Sequence, residues 1–312
     1  MHRMIKSLMF LLCVATTSAM AKETIYIQGS ASATQPNWIP YRQMLKVANE
    51  MQSKYEFVLE LKPGGNGLLA LNAMNSSPKN RLSTISVPFL ELVRQGQINE
   101  SDYIPVTTQG DACWGVITNM GENQRGVESL RGIKEINLGT VGIGSTAHIT
   151  ALMLGEKFGF RVNVVLYKAN YDALLNMAAG ENINMVMERV SNYKSLLAKN
   201  SNLRLLGVLC NQRNPLTPEI PTLYEQGYNV PTIWMATVAN KNMPLDRRDE
   251  ISDILNQAQE TLGNKYLLET ADLSAPMFRN PKISTQDFIK ERKRIHNIMA
   301  DRFDKSITES RK

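Results

Sequence analysis

The sequence predicts an α/β protein of two lobes, each a doubly wound sheet with flanking helices, with a ligand cleft between the lobes. Three observations carry this reading. Strand-like runs alternate with helical periods from Thr24 onward, glycine-rich turns join them, and the pattern occurs twice along the chain. Crossovers of this length give parallel strands. In such sheets ligands sit beyond the carboxyl ends of the strands, where the glycine turns fall.

Thr24–Ile27 reads as a first strand, followed by the small polar run Gly29–Thr34 and a helix with apolar positions Tyr41, Leu45 and Ala48. Tyr55–Leu61 alternates cleanly, a strand signal, and runs into Pro63-Gly64-Gly65-Asn66-Gly67 and a helix from Leu68 to about Asn75. Leu82–Val87 is the next strand, ending at Ser86-Val87-Pro88. A second series starts after Ile104–Val106 and Cys113–Ile117. It comprises a strand ending at Ile136–Leu138, the turn Gly139–His148, a helix from Ile149, a strand at Val162–Tyr167, a helix at Tyr171–Ala179 and a strand at Leu203–Leu209. Asn211–Pro221, rich in Pro and Asn, reads as an exposed loop, Thr232–Ala239 as a strand, and Pro244 opens helical, charged sequence. The chain is expected to cross between lobes near 105–118 and near 232–240. Lobe 1 then comprises residues 22–112 and 236–312, and lobe 2 residues 113–235.

The 312 residues hold one large domain or two of ordinary size, and 43% hydrophobic with 21% charged residues is globular composition. Arg3 and Lys6, the apolar run Leu8–Ala15 and Ala19-Met20-Ala21 form a secretory signal peptide over 1–21, so the expected product is exported and starts at Lys22. No later stretch approaches the roughly 18 apolar residues of a membrane span. Without Arg3 and Lys6 the net charge falls from +6 to about +4, thinly spread. That excludes the clustered basic face of a nucleic-acid binder and mildly suits an acidic ligand. Cys113 and Cys210 sit in apolar strand-like runs; a bridge and a pair of buried thiols are both open. With no CxxC and only His148 and His296 beyond the leader, no metal site is expected, nor any other cofactor.

The turn Gly142-Ile143-Gly144-Ser145-Thr146-Ala147-His148 feeds a strand into a helix and ends in good N-cap residues. Such a turn aims backbone N–H groups and the positive end of a dipole at one point, a cradle for an anion. An ordinary tight turn remains the alternative. The G-x-G-x-x-A pattern raises a dinucleotide site, but the next strand ends Leu166-Tyr167-Lys168 with no carboxylate for a ribose. Gly144-Ser145-Thr146 is not a nucleophile elbow, and no acid–histidine pairing supports a triad, so an enzyme is not expected. Gly64–Gly67 lacks the Lys-Ser/Thr ending of a triphosphate loop but permits close backbone approach to a small anion. His148 lines a site or packs in the first helical turn; Lys168 pairs a ligand carboxylate or is a solvated lysine. Trp38, Trp114 and Trp234 read as core or lobe-interface residues rather than ligand stackers.

Taken together, Pro63–Gly67, Gly142–His148, Leu166-Tyr167-Lys168-Ala169, Leu203-Arg204 to Arg213-Asn214-Pro215 and Glu219-Ile220-Pro221-Thr222-Leu223-Tyr224-Glu225-Gln226-Gly227 resemble the receptors of tripartite tricarboxylate transporters, the Bug-type extracytoplasmic solute-binding proteins. The resemblance covers roughly residues 22–300. It implies a periplasmic binding protein of type II topology, acting as a monomer, that closes on a small carboxylate-bearing solute and delivers it to a membrane permease of one large and one small subunit. It also implies a carboxylate gripped by backbone and hydroxyl groups of two glycine loops. The site expected here comprises Gly64, Gly65, Asn66, Gly67, Ser86, Gly144, Ser145, Thr146 and His148, with Ser30, Ser32, Tyr167 and Lys168 beside them. Valine at Gly65 or Gly144 is expected to abolish binding without unfolding the protein. The first loop, Gln28–Thr34, lacks the family's glycine pair and aspartate, removing the carboxylate that an amino-acid ligand's ammonium would want. An exported sensor of the same fold, uncoupled from transport, is the alternative function.

Overall fold

The computed structural model describes residues 22–31, 33, 38–121, 124–197, 202–210, 213–269, 277–278 and 283–309. The expected signal peptide and Ser32 lie outside them. In chain order the strands are β1 Glu23–Gly29, β2 Tyr55–Leu61, β3 Arg81–Ile85, β4 Tyr103–Ala112, β5 Trp114–Thr118, β6 Glu135–Thr140, β7 Arg161–Leu166, β8 Met185–Arg189, β9 Arg204–Leu209, β10 Ile233–Asn240 and β11 Met277–Phe278. The helices are α1 Trp38–Glu50, α2 Leu68–Asn75, α3 Val87–Arg94, α4 Thr146–Phe158, α5 Asn170–Ala178, α6 Val190–Leu197, α7 Leu245–Glu269, α8 Thr285–Arg302 and α9 Asp304–Glu309.

Local rules account for much of this. In β2, buried Tyr55 and Phe57 flank exposed Glu56, the two-residue period of a half-buried strand. In α1, Tyr41, Met44, Leu45 and Ala48 recur at helical spacing and face the core, while Pro40 is tolerated in the first turn. Two expectations shift. The third strand ends at Ile85 rather than Val87, because Ser86 takes the N-cap position and Pro88 belongs to the first turn of α3, where its missing N–H costs nothing. Within the segment expected to be an exposed loop, Asn214 and Thr217 are buried. Asn214 Oδ1 accepts from Leu216 N–H at 2.8 Å, so a polar side chain closes this turn internally.

Among the described residues the strands form two mixed sheets, of order β11-β4-β10-β3-β1-β2 and β7-β6-β8-β5-β9. β1 pairs in parallel with β2 and β3, and β6 in parallel with β7 and β8; β10 and β5 run antiparallel to their neighbours. Each sheet is covered on both faces. α1 and α7 close one core of the first sheet, around Ile25, Ile27 and Leu82; α2, α3 and α8 close the other, around Leu71, Phe89 and Trp234. On the second sheet α4 packs over Leu138 and Met187, and α5 and α6 over Val186 and Val208. Helices on both faces explain why these strands carry apolar side chains on both sides.

The chain leaves the first sheet at Ala112 and enters the second at Trp114. Between them Cys113 is joined to Cys210, with Cα atoms 4.9 Å apart, answering the question the sequence left open. Trp114 pairs with Leu209 across β5 and β9, which brings the two cysteines, 97 residues apart, side by side. By chain entropy, closing so long a loop contributes about 4.7 kcal/mol. Past β10 the C-terminal helices run back. Phe288 and Ile289 of α8 sit in the core of the first sheet, and Ala300, Phe303 and Ile307 cover Ile149 and Leu152 of α4 on the second.

Candidate functional site

Four strands end in turns that feed helices, and the four turns meet. β2 passes through Pro63–Gly67 into α2, β3 through Ser86 into α3, β6 through Val141–Ser145 into α4, and β7 through Tyr167–Ala169 into α5. The first two belong to one sheet and the last two to the other. A cavity of about 210 Å³ is lined by Ser30, Ser86, Val87 and Pro88 from the first sheet's side and by Ser145, Thr146, Ala147 and Asn170 from the second's. A second cavity adjoins it, sharing Ser30, Ala31, Ser86, Pro88 and Val141 and extending over Gly64, Gly65, Asn66, Gly67 and Lys168. Every helix N-terminus exposes N–H groups that the helix itself cannot satisfy and carries the positive end of its dipole. Four such ends surround one cleft. No carboxylate lines either cavity among the described residues.

The loop before α2 is shaped by its backbone. Gly64, Gly65, Asn66 and Gly67 have φ of 126°, 57°, 55° and 94°, four successive positive values that only glycine and asparagine adopt readily. Neither Gly64 nor Gly67 supplies a side-chain cap. On the first strand's end, Ser30 is held by Thr84, whose Oγ1 accepts from Ser30 N–H at 3.0 Å and lies 3.2 Å from Ser30 Oγ.

The turn before α4 is shaped by side chains. Ser145 Oγ accepts from His148 N–H at 3.2 Å and lies 3.1 Å from Thr140 Oγ1. His148 Nδ1 in turn accepts from Gly144 N–H at 3.0 Å. Gly144, at φ 77°, packs against Glu91, whose carboxyl carbon is 3.3 Å from where a Cβ would stand. Glu91 is 4% exposed. Burial alone would push its pKa up, but hydrogen bonds from His296, Arg94 and Gln95 hold its carboxyl well below the usual range. Thr146 is also buried, and its Oγ1 has no hydrogen-bond partner.

Of the residues expected from the sequence, the structure brings Ser30, Gly64, Gly65, Asn66, Gly67, Ser86, Ser145, Thr146 and Lys168 to the cleft wall. It sets others behind the wall. His148 is wholly buried and spends its ring nitrogen on Gly144, whose own N–H is thereby committed, so neither lines the cavities. Valine at Gly144 would meet left-handed backbone and Glu91, a threat to folding rather than a plug in the site. Tyr167 leans on the second sheet's core, and its hydroxyl accepts from Asn176 Nδ2 at 3.3 Å.

Sequence reasoning missed Arg189 and Asn170, and it read Trp114 and Trp234 as core or interface residues. All four line the first cavity, while Trp38 is a wholly buried core residue. Asn170 Oδ1 accepts from Val141 N–H at 3.2 Å, tying the α5 turn to the α4 turn. Arg189 ends β8, a strand whose Met185-Val186-Met187-Glu188-Arg189 carries two charges yet is buried throughout. Burial pushes the Glu188 carboxyl up and the Arg189 guanidinium down, each opposed by the other's charge. No group of three or more His, Cys, Asp or Glu among the described residues could hold a metal ion, and no helix among them is long and apolar enough to cross a membrane.

The profile of the tripartite tricarboxylate transporter family receptor matches residues 126–300. Protein BugT of Bordetella pertussis is 26% identical over 206 residues, spanning 61% of this chain and 59% of that one, so less than two thirds of that relative is matched. The fold is similar to MatC of Rhodopseudomonas palustris with bound malate (TM-score 0.69, 14% identity, 89% of this chain and 98% of that one). It is equally similar to a second R. palustris protein, with adipate (TM-score 0.70, 17% identity, 92% and 97%). The profile covers more than half of the sequence, and the chain belongs to the tripartite tricarboxylate transporter receptor family.

Proposed function

We propose that this protein is a periplasmic receptor that captures a small carboxylate-bearing solute between its lobes and delivers it to the membrane permease of a tripartite transporter. The lobes are residues 22–112 with 236–312, and 113–235. The observation that carries the reading is the convergence of four helix N-termini, two from each sheet, on one cleft with Lys168 at one side, Arg189 at another and no acidic side chain on its wall. Such a surface favours an anion over a cation or a neutral solute. One similarly folded protein with bound malate and another with adipate support a carboxylate. The leader at 1–21 supports export, and membership of the receptor family supports the permease as partner. In this reading the protein acts as a monomer and performs no chemistry on its solute, which membership of a receptor family supports.

The test is a thermal-shift screen of the chain from Lys22 against mono-, di- and tricarboxylates, followed by calorimetric titration of the hits. A ligand at a hundredfold excess over its Kd should stabilise the fold by about 2.7 kcal/mol. A folded protein that responds to none of them, but does respond to neutral or cationic solutes, would overturn the proposal.

A further inference from the structure

Between α3 and α8, on the first sheet, lies a cavity of about 380 Å³, outside the cleft and larger than its first chamber. Packed interiors leave few voids wider than a water molecule, and ligand pockets start at roughly 300 Å³. The floor follows from the strand register. Pro105 of β4 stands opposite Val238 of β10, and Ile85 of β3 opposite Ala236, two residues along the same strand, so Ile85, Val238 and Pro105 share one face. Proline is tolerated there because β11 pairs with β4 only at Asp111 and Ala112, which leaves β4 an edge strand at Pro105 among the described residues. Phe89 of α3 and Ile289 of α8 form walls, and Tyr103 stands edge-on to Phe89 with ring centroids 5.4 Å apart. Ile85, Phe89, Val238 and Ile289 are all buried core residues.

The mouth has a different chemistry. Gln286, Ile289, Lys290 and Lys293 recur at helical spacing, so one stripe of α8 borders the cavity, with Ile289 buried and Lys290 exposed. The acidic groups near that stripe are engaged. Glu100 pairs with Lys293, Glu291 with Arg294 at 2.7 Å, and Asp287 Oδ2 accepts from Ser284 Oγ at 2.8 Å. Lys290 makes no ion pair among the described residues. Two cations and one anion therefore line the cavity, and Lys290 is the charge left to meet a ligand.

We infer that this cavity is a second binding site, for a small monocarboxylic acid with a hydrocarbon body. The body lies on Ile85, Val238 and Ile289, and the carboxylate meets Lys290, with Gln286 as a neutral donor beside it. The inference does not depend on what the cleft binds. The cavity shares Ile85 and Phe89 with the second cavity of the cleft, while Val238, Ile289 and Lys290 line neither cleft cavity.

The experiment follows isotope-labelled isoleucine and valine methyl groups by NMR while hexanoate, and separately hexanol, is titrated into the chain from Lys22. Val238 and Ile289 should shift saturably with hexanoate, with a Kd of about 1 mM or tighter. Hexanol should bind about three- to fivefold more weakly, the share of a half-exposed charge pair. Lys290→Gln should remove that preference, and Pro105→Phe, which fills the cavity from its floor, should abolish both titrations. Absence of a saturable shift at Val238 and Ile289 overturns the site, even where Val141, on the wall of both cleft cavities, responds. A shift at Val238 and Ile289 that survives Pro105→Phe in a folded variant overturns it too. Equal native affinities for hexanoate and hexanol, or a preference unchanged in Lys290→Gln, overturn the choice of an acid.

Discussion

The turn Pro63–Gly67 and the turn Val141–Ser145 both deliver a helix N-terminus to the cleft, yet the first is held by backbone conformation and the second by side chains. In the first, four successive residues at positive φ set the path, their surfaces stay exposed or half-exposed, and no side chain caps α2. In the second, Ser145 caps α4, His148 holds Gly144, and Glu91 backs the turn from the other sheet's helix α3. One wall is therefore set by backbone conformation alone, and the other is tied by side-chain contacts. Under the receptor reading proposed above, the turn tied by side chains would set the geometry in advance and the glycine turn would adapt to the solute.

The comparison is broken most sharply at Gly144. Gly144→Val places a β-branched side chain at φ 77° and against the Glu91 carboxyl, 3.3 Å from the new Cβ. Left-handed backbone costs about 1–2 kcal/mol and overpacking about 1–3 more, so a loss of about 2–5 kcal/mol is expected in urea unfolding. A variant as stable as the parent would show that the second turn is not fixed by its contacts.

Glu91→Gln tests the backing itself. The carboxylate accepts from Arg94 Nε at 3.0 Å and Nη2 at 3.2 Å, and lies 3.4 Å from His296 Nε2. Arg94 keeps Asp304 as a second partner, so the expected loss at pH 7 is about 1–3 kcal/mol rather than the full cost of stranding a buried cation. The folded-state pKa of Glu91 lies below its ordinary 4.5, so its contribution is complete above that value. As pH falls below 4.5 the unfolded chain takes up a proton that the folded one refuses, and the contribution fades. The stability gap between parent and variant should accordingly narrow below pH 4.5; a gap that widens there would invert the assignment.

Ser145→Ala removes the cap of α4 and should cost about 1 kcal/mol, a fall of about 2–4 °C in Tm for a lobe of this size. No change would mean that the bond from Gly144 to His148 Nδ1 holds the turn without it.

How much of this was legible in the sequence follows from the range of the interactions. The parallel βαβ runs were readable because periodicity and turn residues are local: Tyr55–Leu61 and Leu68–Asn75 fall where the pattern puts them. The glycines of both turns were readable too, but not what each turn is made of. That His148 Nδ1 bonds Gly144 depends on the first turn of α4 being formed, and that Glu91 fills the space behind Gly144 depends on α3 meeting a residue 53 positions later in the chain. β8 escaped because its last two residues are charged, which hides a buried strand from any apolar-run rule. Arg189 reaches the cleft only because β8 pairs with β5, 75 residues earlier, and no local signal carries that register. Trp114 and Trp234 belong to the places where the chain passes between sheets, so one residue type serves there as interface and as wall.

The gentlest change is the most informative about the glycine side of the comparison. Gly65→Ala forces one methyl group onto backbone at φ 57°, with only Leu68 Cβ nearby at 3.3 Å. The loop is exposed, so strain is relieved by local adjustment, and the stability loss should stay near 1 kcal/mol or below. The same adjustment moves the backbone that lines the second cavity, so affinity for an acidic solute should fall by about tenfold, more than the loss of stability alone would suggest. Measured side by side, Gly144→Val should be a folding variant and Gly65→Ala a binding variant. If Gly65→Ala bound its solute as tightly as the parent, the glycine loop would be a spectator, and recognition would rest on the other walls of the cleft.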